Sequence, residues 1–118
     1  RQQGFRGIAG LDIGLEQSGK IIVFDPNFRI ASSSAQLLFH PAASQRAALP
    51  VSHSLQLTPD ASFADIEKTL RGPIDDGWFI PTRLFNGEKH PLSIITGFAL
   101  GKDRSHAGTA VEQLRSLF

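Results

Sequence analysis

Four polar residues near the start of the chain have the types and the spacing of a cation site. Asp12 is followed by Asp25 and Asn27, and Arg29 comes two residues later. Carboxylate and amide oxygens are ligands that Mg²⁺ prefers in proteins. A guanidinium can hold a phosphate or carboxylate through two parallel hydrogen bonds. This set could therefore bind a divalent cation together with an anionic ligand.

A β-hairpin is the element that would bring the two aspartates together. Residues 11–15 alternate between apolar and polar, which is the period of a half-buried strand. Residues 21–24 form a β-branched and aromatic run, which is also typical of a strand. The dipeptide Ser18-Gly19 between them predicts a two-residue turn. A four-residue loop over residues 17–20 would keep the same register.

The predicted register places the two aspartates opposite each other. It pairs Gln17 with Lys20 and, further along the strands, Asp12 with Asp25. Like charges in opposed positions destabilise a sheet, and a hard cation would remove that repulsion. The hairpin then has an apolar face and a polar face whose glycines leave room for a ligand. The predicted apolar face is Leu11, Ile13, Leu15, Ile22 and Phe24; the other is Gly10, Asp12, Gly14, Glu16, Ile21, Val23, Asp25 and Asn27.

The same residues also have simpler interpretations. Aspartates at strand ends are often solvated, and Asp25-Pro26-Asn27 could begin a turn. Arg29 could form an internal salt bridge with Asp12 or Asp25 instead of holding a ligand. The histidines have no metal-ligand spacing, and a structural role is the better expectation for each of them: His40, His53, His90 and His106.

Residues 4–40 resemble the metal-binding end of an ATP-grasp ligase. That family has an aspartate on one strand and an acid-x-Asn-x-Arg motif at the end of the next, which correspond here to Asp12 and to Asp25, Asn27 and Arg29. The resemblance implies that the first three bind Mg²⁺, that all four contact ATP, and that Arg29 is catalytic. One position departs from the family: its usual acid in the second strand is glutamate, and Asp25 is a methylene shorter.

The function that this resemblance implies is ATP-dependent ligation of a carboxylate to an amine. Such enzymes form an amide or peptide bond through an acyl phosphate, with Mg²⁺ and ATP as cofactors and small carboxylates and amines as substrates. Because the chain has no methionine and begins with Arg1, we expect a fragment that is inactive alone. The alternative is a degenerate, non-catalytic ATP-grasp-like module used for binding or scaffolding.

Composition bounds the remaining possibilities. The chain has 118 residues, of which 41% are hydrophobic and 19% charged, as in ordinary globular domains. A net charge of +1 gives no electrostatic case for nucleic acid or an anionic membrane. No run of residues resembles a signal peptide or a membrane span, so we expect a cytoplasmic protein. The absence of cysteine excludes disulfides and thiolate zinc sites. A homodimer is possible if apolar surface is exposed.

We expect residues 1–118 to be a single α+β domain, an antiparallel sheet with flanking helices from the C-terminal portion of an ATP-grasp fold. Residues 1–40 would contain the hairpin and the following helix, and residues 41–118 an α+β extension. The patterns predict a helix over 30–39 that ends at His40-Pro41, an edge strand over 51–57, a helix from Asp60 or Ser62 to Gly72-Pro73, strands over 78–85 and 92–100 around Asn86-Gly87, and a helix over 105–118.

Overall fold

The computed structural model describes residue 4 and residues 6–29, 32–85 and 93–118. Within these residues the fold is α+β, with three helices and two antiparallel sheets, which confirms the predicted class. The chain divides into two compact units, residues 1–35 and 36–118. In chain order the elements are β1 (Gly10–Leu15), β2 (Ile21–Asn27), α1 (Ser32–Ala47), β3 (Val51–Leu57), α2 (Phe63–Asp75), β4 (Phe79–Phe85), β5 (Ile94–Gly101) and α3 (Arg104–Arg115).

The first unit contains a two-stranded sheet in which β1 pairs with β2. Most of its large apolar side chains are exposed, from 50% for Val23 to 74% for Leu15, while Ile22 is half-buried. A hairpin without a third strand or a covering layer is marginally stable in water, because it removes little apolar surface from solvent.

The second unit contains a three-stranded antiparallel sheet in the order β3-β5-β4. The strand β5 is central, and Val51–Leu57 forms an edge of the sheet, as its sequence predicts. The register pairs Phe79 with Ala99 and Ile80 with Phe98. Because neighbouring residues on a strand point to opposite faces, Phe79 and Phe98 lie on opposite faces of the sheet.

Each face of this sheet has its own apolar cluster. The larger cluster joins the sheet to α2 and α3, and the smaller one contains Ala43 of α1 together with Phe98 and Leu100. Helix α1 is also tied to β3 by a hydrogen bond in which Gln36 Nε2 donates to Ser52 Oγ over 2.8 Å. The buried residues of the larger cluster are Leu55, Leu57, Ile66, Leu70, Phe79, Ile95, Ala99, Ala110, Val111 and Leu114.

The prediction that the first helix ends at His40-Pro41 is wrong. Helix α1 continues through Pro41 to Ala47, although an interior proline removes a hydrogen bond and costs about 3 kcal/mol. The segment after the proline is rich in alanine, which has the highest helix propensity, and Ala43 is buried against the sheet. Packing of this segment offsets the local penalty.

Helix α2 begins as the sequence predicts but ends later. Ser62 is the N-cap, and its side chain accepts a hydrogen bond from the Asp65 N–H. The predicted stop at Gly72-Pro73 is wrong, because the helix continues to Asp75. The left-handed residue that ends it is Gly77, with φ of 78°, whose N–H donates to the Ile74 carbonyl.

The remaining predicted elements are largely confirmed. Strand β4 is an edge strand with a register shift between Pro81 and Arg83, as a proline in a strand leads one to expect. The connection predicted at Asn86-Gly87 lies outside the described residues. The helix predicted over 105–118 is α3, which ends at Arg115; Leu114 is buried, whereas Leu117 lies beyond the helix and is 45% exposed. No helix in the described part of the chain is long and apolar enough to cross a membrane.

Candidate functional site

The hairpin places the two candidate carboxylates opposite each other. Asp12 of β1 pairs directly with Asp25 of β2, so the predicted pairing is confirmed. Asn27 pairs with Gly10 two positions further along the same ladder. Since residues two apart on a strand share a face, Asn27 stands on the same side of the hairpin as Asp25.

The turn that leads to this pairing differs from both predicted turns. The loop has three residues, Gln17 to Gly19, and Glu16 is opposite Lys20, with the Glu16 N–H donating to the Lys20 carbonyl over 3.0 Å. Gly19 has φ of 82°, the left-handed conformation that the third residue of such loops requires. The register next to the turn is therefore one residue away from the predicted one.

A β-bulge at Phe24 restores the predicted pairing of the aspartates. The ladder pairs Ile13 with Val23 and then Asp12 with Asp25, so Phe24 is the extra residue on β2. The one-residue difference at the turn and the extra residue at the bulge cancel. The aspartates thus meet for a reason that the alternation of the sequence does not contain.

The bulge changes which side chains share a face. Because paired residues project to the same side, the apolar face contains Ile21 and Val23, which were predicted on the polar face. Ile22 pairs with Gly14 and lies instead on the face that carries the aspartates. The predicted faces are therefore wrong for β2 between the turn and the bulge. The apolar face is Leu11, Ile13, Leu15, Ile21 and Val23.

Phe24 covers part of the face that was predicted to be open. A Cβ atom built on Gly14 would lie 2.5 Å from Cε2 of the Phe24 ring, so the ring rests on the glycine. The ring itself is 70% exposed. At Gly10, by contrast, no described residue has an atom within 4 Å of such a position. The space for a ligand on this face is therefore at the Gly10 end of the hairpin.

Asn27 interacts with one of the two carboxylates. Its Nδ2 donates to Asp25 Oδ2 over 2.8 Å. An amide presents an N–H on one side and a carbonyl oxygen on the other, so a half-turn of the amide plane would replace the donor with a metal-ligating oxygen. The site then consists only of hard oxygen donors, which suits Mg²⁺. A magnesium ion bound with a nucleotide needs no more than one or two protein carboxylates.

The electrostatics of the pair are those of exposed charges. Asp12 and Asp25 are both exposed, and no described basic residue forms an ion pair with either of them. Directly opposed side chains are about 5 Å apart at Cβ, and at that separation two unit charges repel by about 1 kcal/mol in water. The hairpin therefore gains stability from any cation that binds between them.

Arg29 lies two residues beyond the end of β2 and is exposed. Within the described part of the chain it forms no ion pair with Asp12 or Asp25, so the internal salt bridge considered for it is absent there. Its guanidinium remains available to an anionic ligand.

Groups of three or more His, Asp or Glu side chains that could hold a metal do not occur among the described residues. His40 packs against Phe98, with ring centroids 6.4 Å apart, and its buried Nε2 has no hydrogen-bond partner among the described residues. His106 lies in the first turn of α3, where its N–H donates to the capping carboxylate of Asp103. His90 lies outside the described residues.

A second candidate site, which was not predicted from the sequence, lies in the other unit. It is a cleft of about 380 Å³ between the start of β3 and the first turns of α3. We call it the β3–α3 cleft. Two of its residues, His53 and Arg104, are about fifty positions apart, and no local pattern connects them. The lining residues are Val51, Ser52, His53, Arg104 and Ala107.

Comparisons of the chain with protein-family models, curated proteins and solved structures return no match. The function must therefore be argued from the geometry of the hairpin and from the motif it carries.

Proposed function

We propose that the hairpin is the cation-binding end of a Mg·ATP site in a cytoplasmic ATP-grasp carboxylate–amine ligase. The observation that supports this proposal is the opposed pair Asp12 and Asp25 with Asn27 on the same face. Opposed carboxylates cost stability unless a cation binds, and the donor set is the one that magnesium prefers. The proposed ATP-grasp family is inferred from the acid-x-Asn-x-Arg motif that Asp25, Asn27 and Arg29 form.

In this proposal the residues of the hairpin have separate tasks. Asp12, Asp25 and Asn27 hold Mg²⁺, which would neutralise charge on the β- and γ-phosphates of ATP. Arg29 stabilises the negative charge on the transferred phosphoryl group. A substrate carboxylate oxygen forms a bond to the γ-phosphorus while the bond to ADP breaks. An amine then attacks the acyl carbon, and inorganic phosphate leaves.

The exposure of the hairpin sets the expected strength of the site. Exposed carboxylates interact with a cation through high-dielectric solvent, and Mg²⁺ gives up its water ligands reluctantly. We therefore expect weak binding of Mg²⁺ alone and tighter binding when ATP phosphates complete its coordination. We also expect the 118-residue chain to bind the cation without turning over ATP, because no general base is identifiable in the hairpin.

The first test is a titration of the intact chain with Mg²⁺, followed by NMR of backbone amides. Wild type should show saturable shifts confined to residues 10–14 and 24–29. The variant Asp25→Asn should weaken binding by about tenfold or more, because it removes a charged ligand. The variant Asp25→Glu restores the acid usual in the family and should bind at least as well as wild type. Asp60→Asn, at an exposed aspartate outside the site, is the matched control.

Equal Mg²⁺ affinity of Asp25→Asn and Asp60→Asn would remove the hairpin from the metal site. Turnover is tested on the protein that contains this chain, by ADP release from Mg·ATP with a mixture of carboxylates and amines. The double variant Asp25→Ala with Asn27→Ala should abolish that release. Unchanged turnover in the double variant would contradict the proposed role of these residues.

A non-catalytic ATP-grasp-like binding or scaffold module is the second candidate, and two observations favour it. The acid of the second strand is the shorter Asp25, and the Phe24 ring rests on Gly14, on the face where the ligand would bind. This candidate predicts Mg²⁺ binding by the hairpin without ADP release under any mixture of substrates. Asp25→Glu would then improve cation binding without creating turnover.

A further inference from the structure

The β3–α3 cleft has the size of a small-molecule site and lies within one compact unit. Its volume of about 380 Å³ falls in the range of ligand pockets. The edge strand β3 forms one wall, and the first turns of α3 form the other. Ala107, which is fully buried, and the half-buried Val51 provide an apolar floor. Such a floor limits competition by water for the polar groups around it.

The charge of this cleft is positive. Arg104 lines it, whereas no aspartate or glutamate does. The nearest acid in sequence, Asp103, uses its carboxylate to cap α3, accepting from the His106 N–H over 2.8 Å. Because that bond already satisfies the helix end, a ligand in the cleft would be held by side chains.

Arg104, like Arg46 of α1, forms no ion pair with a described carboxylate, unlike Arg71 of α2 and Arg115 of its own helix. Arg71 pairs with Glu67 at 2.9 Å, and Arg115 pairs with Glu112 at 2.7 Å. Within residues 32–85 and 93–118, no carboxylate lies within 4.0 Å of the Arg104 guanidinium in an ion pair. An arginine fork without a partner can hold an oxyanion through two parallel hydrogen bonds.

A second side chain of the cleft can donate a hydrogen bond. His53 is exposed and forms no hydrogen bond with any described residue, and its Nδ1 lies 4.0 Å from the position of a Cβ atom built on Gly108 of α3. Ser52 also lines the cleft, but its side chain projects to the opposite face of the sheet, where Oγ accepts from Gln36 Nε2 of α1. Arginine and imidazole donors beside an apolar floor are complementary to a compact group with several acceptor oxygens.

We propose that the β3–α3 cleft binds a small oxyanion, a phosphate or a carboxylate, held mainly by Arg104 with His53 as a further donor. This site is separate from the hairpin and does not depend on the proposed cation site. A free anion or an anionic group of a larger metabolite would present the same chemistry.

The test is an NMR titration of the intact chain at constant ionic strength, with inorganic phosphate in one arm and acetate in the other. Phosphate should give saturable shifts at residues 51–53 and 104–107, with a dissociation constant on the order of 1 mM or lower. Saturation by phosphate alone would assign the site to phosphate groups. Saturation by acetate at similar concentrations would assign it to carboxylates.

The decisive variant is Arg104→Gln, because the side chain is exposed and its replacement leaves the core intact. Its affinity for the saturating anion should fall by about tenfold or more, as expected for loss of a charge-assisted hydrogen bond. Arg71→Gln is the matched control and should leave the affinity unchanged, and His53→Leu should weaken binding less than Arg104→Gln. Equal affinities of the two arginine variants, or unsaturable shifts spread over all basic residues, would overturn the proposal.

Discussion

The hairpin and the second unit use the same antiparallel pairing but differ in what covers their strands. In the hairpin, Leu15 is 74% exposed and Phe24 is 70% exposed. In the second unit, Phe79 and Phe98 are fully buried on opposite faces of the sheet. The difference shows that strand pairing can be specified locally, whereas burial requires another layer. The sheet of the second unit has such layers, because helices contribute to an apolar cluster on each face.

The two units also differ in their expected contributions, one to folding stability and the other to ligand binding. The second unit removes Phe79 and Phe98 from water, and each such burial contributes about 1.5–3 kcal/mol. The hairpin leaves its apolar face in solvent while it positions two like charges side by side. Substitutions in the second unit should therefore change the free energy of unfolding, and substitutions in the hairpin should mainly change ligand binding.

The largest expected effect is a pair of phenylalanine truncations. Phe98→Ala should lower the free energy of unfolding by about 3–5 kcal/mol, because it leaves a cavity between α1 and the sheet. Phe24→Ala should change it by less than about 0.5 kcal/mol, since the ring is mostly in solvent. Urea denaturation followed by far-UV circular dichroism measures both. Similar losses for the two variants would show that the hairpin is covered in solution.

An intermediate effect is expected from a pair of glycine substitutions. A Cβ atom added to Gly101 would collide with the backbone of Ala107 in α3, which no side-chain rotation can relieve. We expect Gly101→Ala to destabilise the second unit by about 1–3 kcal/mol. Gly10→Ala meets no atom of a described residue within 4 Å and should be nearly neutral. The midpoints of thermal unfolding would test the pair, and an equal shift would contradict this close approach of strand and helix.

The smallest effect concerns the opposed charges, and its sign depends on the cation. Without a divalent ion, Asp12→Asn should stabilise the hairpin by about 0.2–1 kcal/mol, because it removes a like-charge pair. With saturating Mg²⁺ the order should reverse, since wild type then gains binding free energy that the variant lacks. Amide hydrogen exchange of residues 11–15 measures both conditions. An order that does not change with Mg²⁺ would argue against a shared cation.

Much of the fold could be predicted because its signals are local. The cap at Ser62, the edge strand β3 and the existence of the β1–β2 hairpin each follow from a few neighbouring residues. Proline residues, which usually end a helix, were misleading where packing against the sheet stabilises the continued helix. Pro41 stands inside α1, and Pro73 inside α2, because both helices contain residues buried against the sheet.

Within the candidate site, prediction was accurate for the pair and inaccurate for its surroundings. The alternation of β1 and β2 contains no sign of the bulge at Phe24, which depends on how the strands twist together with a three-residue turn. As a result, the aspartates are opposed as predicted, while Val23 and Phe24 have exchanged faces.

The sequence by itself determined the residue types of the hairpin, its two strands and the turn between them, because these depend on residues close together in the chain. The bulge that brings the carboxylates opposite each other was decided by the structure. Only the tertiary structure decided which apolar residues are buried, where the helices end and which distant side chains meet. The β3–α3 cleft illustrates the reason. His53 and Arg104 become neighbours only when β3 and α3 pack in one unit. That packing depends on the removal of apolar surface from water across the whole unit.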